Sequence, residues 1–548
     1  MKLIECVPNF SEGRDRAVID AIAAEIAATP GAVLLDVDPG VATNRTVVTF
    51  IGEPEVVEEA AFRAIKKAAA LIDMTRHHGE HQRLGATDVC PFVPVAGATM
   101  ADCVAIAKRL GKRVGEELGI PVYLYEAAAT RPERRSLADI RKGEYEGLPE
   151  KLKTPAFAPD FGPSQFSARS GATVIGAREF LIAYNINLNT RDKKLATAIA
   201  QALREAGAPK RSANGTTTNV PGRFKECRAV GWYIEEFGRA QVSINLTNYK
   251  VTPVHAVFDA ACEEAERLGL RVTGSELVGL IPREALLTAG DHYLAKQGKT
   301  TGVPEKERVH SAVLSLGLSE LAAFDATRKV IEYRFAAGPP GLVEMTVRDF
   351  ADELSTNSPA PGGGSVAALC GALSTSLVAM VAALTWSKAG MEAGRPAMQA
   401  AGTEAQTLKD WFLGAVDRDT EAWNAVLAAM RLPKKTPEEI AARLRAVEHA
   451  SQGAAKIPLD VLEATIRALE LSIRVVKDGL PSSVSDAGVA GAAALAAAEG
   501  AALNVRINAA ALTDRSVAEE YLARQAGALA RARELAKKAG QAVDQVLG

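Results

Sequence analysis

Residues 75–89, TRHHGEHQRLGATDV, carry three of the seven histidines in a chain of 548 residues. His77, Glu80 and His81 spell H-x-x-E-H, the ligand spacing of one class of zinc peptidase. That chemistry needs both histidines one turn apart on a continuous helix. Gly79 lies between them and a β-rich run begins at Val89, so a loop is the expected setting, and no further carboxylate ligand announces itself. Two other uses of the imidazoles stay open. They could satisfy nearby backbone groups, or serve acid–base catalysis, because imidazole titrates near neutral pH. Asp38 and Asp88, each at a strand end, could orient an imidazole, and Arg45 and Arg83 could hold carboxylates in bidentate fashion.

A second candidate lies far along the chain. Phe412, Val416, Asp419, Trp423, Val426 and Met430 recur at three- and four-residue spacing and so share one helix face. The face is apolar except for Asp419, and a carboxylate there must be paired, protonated or turned towards a cavity. A buried arginine partner and a proton-transfer role in a pocket both fit. Asp417 falls on another face with Glu421 and Asn424 and reads as solvated. The run SPAPGGGSVAALCGAL (358–373) reads as a glycine turn and Ser365 opening a long uncharged helix, whose free N–H groups favour an anion. Close helix packing would explain the same small residues.

The elements that must position these groups fall into two kinds. Up to about residue 330, strand-like runs (KLIECV, 32–38, 45–52, 88–95, PVYLYEA, FLIAYNINL, CRAVGWYIEE, AQVSINLTN) alternate with segments of helical spacing near 56–72, 101–118, 253–268 and 283–296. The pattern restarts after the Pro/Gly-rich passage 154–177. Two similar βαββαβ-like subdomains with largely antiparallel sheets are expected, with residues 208–222 as a polar surface loop and a ligand cleft between the halves. AAGPPGLVEM (336–345) marks a break, and residues 346–548 read as an all-α helical bundle. The expected boundaries are 1–178, 179–330, a linker at 331–345, and 346–548.

Composition narrows the classes. The 64 basic and 66 acidic residues nearly cancel, which gives no nucleic-acid footprint. Six scattered cysteines without a C-x-x-C pair argue against a disulfide framework or a cysteine-rich zinc site. The N-terminus turns polar too soon for a signal peptide, so a cytoplasmic protein is expected. Residues 366–387 are uncharged and long enough to span a bilayer. They are rich in Ala, Ser, Thr and Gly, which favours a helix buried within a bundle over a membrane segment.

At these residues the sequence resembles the formimidoyltransferase-cyclodeaminase family. The resemblance rests on CVPNFSEG (6–13) after Glu5, LLDVDPGVATNRTV (34–47), LIDMTRHHGEHQRLGATDVCPFVPV (71–95), VYLYEAA (122–128), APDFGPSQF (158–166) and GAREFLIAYNINL (176–188). It continues through APGGGSVAA (360–368), VDRDTEAW (416–423), AMRLPKKTPEE (429–439) and NVRIN (504–508). The resemblance implies an α/β module that moves the formimino group of N-formimino-L-glutamate to N5 of tetrahydrofolate, the co-substrate. A helical module would then close the ring to 5,10-methenyltetrahydrofolate and expel ammonia.

It also implies His81 as the base at N5, Asp38 as its partner, and Asp419 as the cyclodeaminase acid/base. Folate contacts would fall on Gly162, Pro163, Ser164, Gln165, Phe166, Ser167, Ala168, Arg169, Ser170 and Gly171, and on Gly222, Arg223 and Phe224. No metal, nucleic acid or membrane is implied, and a homo-oligomer, at least a dimer, is. Two alternatives accompany this reading. The helical module could be a methenyltetrahydrofolate cyclohydrolase, or the chain a folate-binding protein without catalysis.

Overall fold

The computed structural model describes residues 2–548 apart from residues 42, 80–81, 212–216, 236 and 336–340. The chain divides into two units, residues 1–289 with 313–336, and residues 290–312 with 337–548.

In the first unit, strands β1 (Leu3–Cys6) and β2 (Asn9–Phe10) are two pieces of one interrupted strand lying between β4 (Arg45–Gly52) and β5 (Thr87–Ala96). β3 (Val33–Gly40) pairs with the outer edge of β4. Helices α1 (Arg16–Ala27), α2 (Pro54–Leu71) and α3 (Met100–Leu118) form a core with Ile4, Cys6, Val48, Phe50, Cys90 and Phe92. Side chains alternate across a strand. Glu5, Val7 and Asn9 therefore leave the sheet on the side away from that core, as do Asp36 and Asp38.

The second sheet repeats the order. β8 (Ile182–Leu188), α4 (Lys193–Leu203), β11 (Cys227–Ile234), β12 (Arg239–Leu246), α5 (Val254–Arg267) and β13 (Val272–Val278) make a βαββαβ unit. Its strands run β11-β12-β8-β13, and the first four strand positions of the first sheet run β3-β4-β1/β2-β5, the same order. Two α/β subdomains of one design account for this unit, as the alternating sequence pattern suggests.

One expectation needs refining and one correction. The first sheet is largely antiparallel as expected, but at one edge β7 (Thr173–Ala177) lies parallel to both β5 and β6 (Val122–Glu126). β7 hides at the end of the Pro/Gly-rich passage 154–177, where five residues are too few to show a period. Residues 208–222 are not simply a loop. β9 (Ala208–Arg211) and β10 (Thr217–Val220) form an antiparallel hairpin around residues outside the described set.

The helical unit is built on α8 (Gly363–Ser387), α9 (Arg395–Met430), α10 (Pro437–Asp478), α11 (Val484–Ala510) and α12 (Arg515–Leu547), while α6 (Arg283–Lys296) and α7 (Glu305–Leu316), earlier in the chain, are each divided between the two units. Thr436 and Glu439 form a capping box that starts α10 after the break at 432–439. Small residues let the helices approach closely, and the Gly371 Cα faces the ring of Phe412. Two helical segments, Gly363–Ser387 and Pro481–Ala510, are long and apolar enough to cross a membrane. In α8 more than half of the most apolar window is buried against neighbouring helices, with Ala368, Val378 and Val381 fully inside.

Candidate functional site

The histidine loop is an irregular segment held by specific bonds. Met74–Arg76 is a single 3-10 turn, and the chain then runs non-helical to β5. A Cβ on Gly79 would meet the Thr43 carbonyl at 2.2 Å, so only glycine lets the loop lie on residues 43–44. His77 is buried. Its Nε2 lies 2.7 Å from the Asn44 carbonyl, and its Nδ1 accepts from Arg83 Nε at 3.3 Å. The carbonyl requires Nε2 to carry the proton, which leaves His77 neutral with both ring nitrogens engaged. Burial lowers its pKa, and the Arg83 charge acts in the same direction against the Asn44 bond. His77 therefore serves the backbone. Glu80 and His81 lie outside the described residues.

Three sequence candidates turn out to be committed within the chain. Arg83 binds Glu146 through both terminal nitrogens, at 2.6 and 2.9 Å, and reaches Glu144 at 3.1 Å. Asp88, fully buried, takes Arg45 and Arg141 on one oxygen and the Leu84 N–H on the other, at 2.9 Å. Burial pushes Asp88 up, but the two guanidiniums together outweigh it and hold the carboxyl below its usual range. Asp88 thus fixes arginines and does not orient a histidine. Arg141 was missed because 53 residues separate it from Asp88.

The run Gly162–Gly171 meets the histidine loop directly. Met74 N–H donates to the Arg169 carbonyl at 3.0 Å, Ala86 N–H to Ser170 at 2.9 Å, and Ala172 N–H to Leu84 at 3.1 Å. Phe166 packs on Tyr145, ring centroids 5.4 Å apart, and Tyr145 Oη donates to the Ala168 carbonyl. The segment Gly222–Phe224 lies elsewhere in the same unit. Arg223 and Phe224 donate their N–H groups to Ala202 and Leu203 at the end of α4, and the Arg223 side chain pairs with Glu263.

Asp38 belongs to a third place. It opens onto a cavity of about 490 Å³ whose walls include Glu5, Asp36, Arg45, Tyr125, Arg141, Arg178, Arg228 and Asn245. Partial burial raises the Asp38 pKa, and Asp36 adds to it. Neither of the two expected folate segments lines this cavity.

In the helical unit, Asp419 sits where the stripe on α9 meets the start of α8. Ser365 Oγ donates to its Oδ2 at 3.1 Å and also lies 3.0 Å from the Val416 carbonyl. A Cβ on Gly364 would fall 2.1 Å from Asp419 Oδ1. The glycine run is therefore a seat for this carboxylate at a helix N-terminus. Burial raises the Asp419 pKa, against the Ser365 hydroxyl and N–H, which pull it down. Asp419 has no arginine partner among the described residues. One turn on, Trp423 Nε1 is buried without a hydrogen-bond partner among them. The stripe ends early, since Met430 is exposed and Ala429 takes the buried position. Asp417 is not free in solvent either; it accepts the Leu342 N–H at 2.7 Å.

Family models match this layout piece by piece. One described as the formiminotransferase domain, N-terminal subdomain, covers residues 3–178, and one described as the formiminotransferase domain covers 183–336. A third, formiminotransferase-cyclodeaminase, covers residues 346–526. The formimidoyltransferase-cyclodeaminase of Mus musculus is 45% identical over 515 residues, 94% of this chain and 93% of its own length. The chain belongs to the formimidoyltransferase-cyclodeaminase family. Members of single function match in part. The glutamate formimidoyltransferase of Streptococcus pyogenes serotype M1 is 44% identical over 54% of this chain and 93% of its own length. A methenyltetrahydrofolate cyclohydrolase of Methylorubrum extorquens is 37% identical over 34% of this chain and 90% of its own length. In this family member, then, two α/β subdomains precede one helical unit.

Proposed function

We propose that this chain is a bifunctional enzyme of folate one-carbon chemistry, acting in histidine degradation. The first unit moves the formimino group of N-formimino-L-glutamate to N5 of tetrahydrofolate. The helical unit then cyclises 5-formiminotetrahydrofolate to 5,10-methenyltetrahydrofolate with release of ammonia. The observation that carries this reading is the 45% identity to a formimidoyltransferase-cyclodeaminase across 94% of the chain. The test is to supply the purified chain with both substrates and follow ammonia and methenyltetrahydrofolate together; absence of either product sinks the bifunctional reading.

In the transfer step, N5 attacks the formimino carbon and a tetrahedral centre forms. His81 takes the N5 proton, with Asp38 as its proposed partner, and a proton reaches the glutamate nitrogen as the C–N bond breaks. Folate contacts come from Gly162–Gly171 and Gly222–Phe224; the bonds between Arg169 or Ser170 and the histidine loop support the first of these. His81→Ala is expected to slow transfer about 10²- to 10⁴-fold and to leave ammonia release from preformed 5-formiminotetrahydrofolate unchanged. Unchanged transfer would remove His81 as the base.

In the second step N10 attacks the same carbon, and its proton passes to the departing amine, which leaves as ammonia. Asp419 can carry that proton because burial holds it towards the acid form. Gly364→Ala tests the seat. The new methyl displaces the carboxylate, and a misplacement of about 1 Å is worth roughly 10²-fold in rate. Loss of cyclisation with transfer intact is the expected outcome; wild-type cyclisation would show that Asp419 need not sit there.

A second reading of the helical unit, methenyltetrahydrofolate cyclohydrolase, has the Methylorubrum relative in its favour. The ammonia assay separates the two, since hydrolysis of a methenyl group yields none. The chain is proposed to be cytoplasmic, to need no metal, and to form a homo-oligomer, at least a dimer. Exposed Leu373, Met380 and Leu384 on α8 and Leu503 and Ile507 on α11 support assembly, and sedimentation velocity tests it.

A further inference from the structure

Residues 77 and 83 bound the segment that holds the proposed base, His81, and one side chain ties them together. Arg83 Nε donates to His77 Nδ1 at 3.3 Å, and its Nη2 donates to the His77 carbonyl at 3.4 Å. His77 is itself anchored on the Asn44 carbonyl, and Asn44 Nδ2 donates to the His78 carbonyl at 3.0 Å. The guanidinium is gripped from its far side by Glu144 and Glu146, in the first turn of the short helix Glu144–Lys151.

Tyr145, between those two glutamates, extends the clasp to the Gly162–Gly171 run. Its N–H donates to the Arg83 carbonyl at 2.9 Å, and its hydroxyl donates to the Ala168 carbonyl at 2.5 Å. Its ring packs on Phe166 and lies 5.9 Å from the Arg83 guanidinium carbon. One residue thus touches both the neck of the histidine loop and the proposed folate run. The backbone is turned to bring it there, because Gly143 and Glu144 both have positive φ, 85° and 54°. Glycine takes that conformation freely, whereas glutamate adopts it only when its surroundings hold it there.

Stability alone does not account for this arrangement. Glu146 is 63% exposed and Glu144 35%, so water screens both bonds and they add little to folding. A bidentate grip fixes direction instead. The planar fork of Arg83 meets Glu146 through both terminal nitrogens, and that orientation leaves Nε facing His77. We infer that Arg83 and Tyr145 are positioning residues for formimino transfer, forming one clasp that sets the histidine loop against the folate run. The inference rests on the transferase reading, with its assignment of His81 and of Gly162–Gly171. Neither side chain is asked to touch the reacting atoms. Both hold the two segments in place, and a misplacement of about 1 Å between base and N5 lowers the rate roughly 10²-fold.

The test is a double-mutant cycle on the full chain, read as kcat for transfer and KM for tetrahydrofolate. Arg83→Gln frees the neck of the loop and should lower kcat about 10- to 10²-fold, with KM changed far less. Arg83→Lys keeps the charge without the fork and should be no faster than the glutamine variant. Tyr145→Phe keeps the ring on Phe166 and loses the bond to Ala168, and kcat/KM should fall about 3- to 10-fold. If the two residues form one clasp, the variant carrying both Arg83→Gln and Tyr145→Phe falls no more than about twofold below Arg83→Gln, whereas independent sites would multiply. Unfolding midpoints close to that of the wild type are expected throughout. Multiplying effects, rescue by lysine, wild-type transfer in both single variants, or loss of rate that comes only with unfolding overturns the clasp. A wild-type chain that transfers no formimino group overturns the transferase reading, and the clasp with it, so the wild type alone tells the two failures apart.

Discussion

Asp419→Asn is expected to lower the rate of ammonia release from 5-formiminotetrahydrofolate by about 10²- to 10⁴-fold while formimino transfer continues at the wild-type rate. The size follows from what the carboxyl must do. Ring closure leaves a proton on N10 that has to reach an amine before the amine can depart, and one group of raised pKa can take it and return it. Asparagine keeps the shape and can still accept from Ser365, so the geometry at the start of α8 survives while the proton path does not. Stability separates chemistry from folding in the same variant. The folded-state pKa of Asp419 is raised, so its ionisation opposes folding, and stability falls as pH rises through that pKa. Removing the charge should leave the helical unit at least as stable at neutral pH. A variant that loses cyclisation only because it unfolds would contradict this, as would wild-type turnover with asparagine in place.

How far this was legible in the sequence depended on the range of the contacts. Asp419 stood out because helical periodicity is local: four neighbours within a few turns reveal the face on which it lies. The strands of the βαββαβ repeats were visible for the same reason. The parallel insertion of β7 between β5 and β6 was not, because nothing within five residues records which strands will flank them. The roles of Arg45, Arg83 and Asp88 were open for a related reason. Each was a plausible ligand-binding charge until the fold supplied partners from distant segments, Asp88, Glu146 and Arg141. The cavity wall is an intermediate case. Glu5, Val7 and Asn9 alternate with core residues in the sequence, yet the alternation shows only that they share a face, and the second sheet decides that this face borders a cavity. Spacing alone left the histidine loop open between backbone and acid–base roles, and the choice of His81 rests on family resemblance.

The largest effect on stability is expected at Asp88. Asp88→Ala should destabilise the first unit by about 3–5 kcal/mol, the usual cost of removing one partner from a buried ion pair. The loss exceeds that of a surface bridge because Arg45 and Arg141 converge on one oxygen and both remain largely inside, 9% and 11% exposed. Without the carboxylate the two guanidiniums repel each other at the cavity wall, and the Leu84 N–H loses its acceptor beside the histidine loop. The pH dependence has a definite sign. Asp88 has a folded-state pKa below its unfolded value, so its contribution is present above the ordinary carboxylate range and disappears as pH falls through the folded pKa. Acid unfolding of the wild-type first unit should therefore be steeper than that of Asp88→Ala. Urea titrations followed by circular dichroism at neutral and acidic pH, with formimino transfer reporting the first unit and cyclisation the helical one, measure both effects. A shift below about 1 kcal/mol would be a surface-pair value, and would mean that the two arginines find water or other partners once Asp88 is gone. The expected result ties the fold to the cavity: one buried carboxylate holds in place two of the cations that line it.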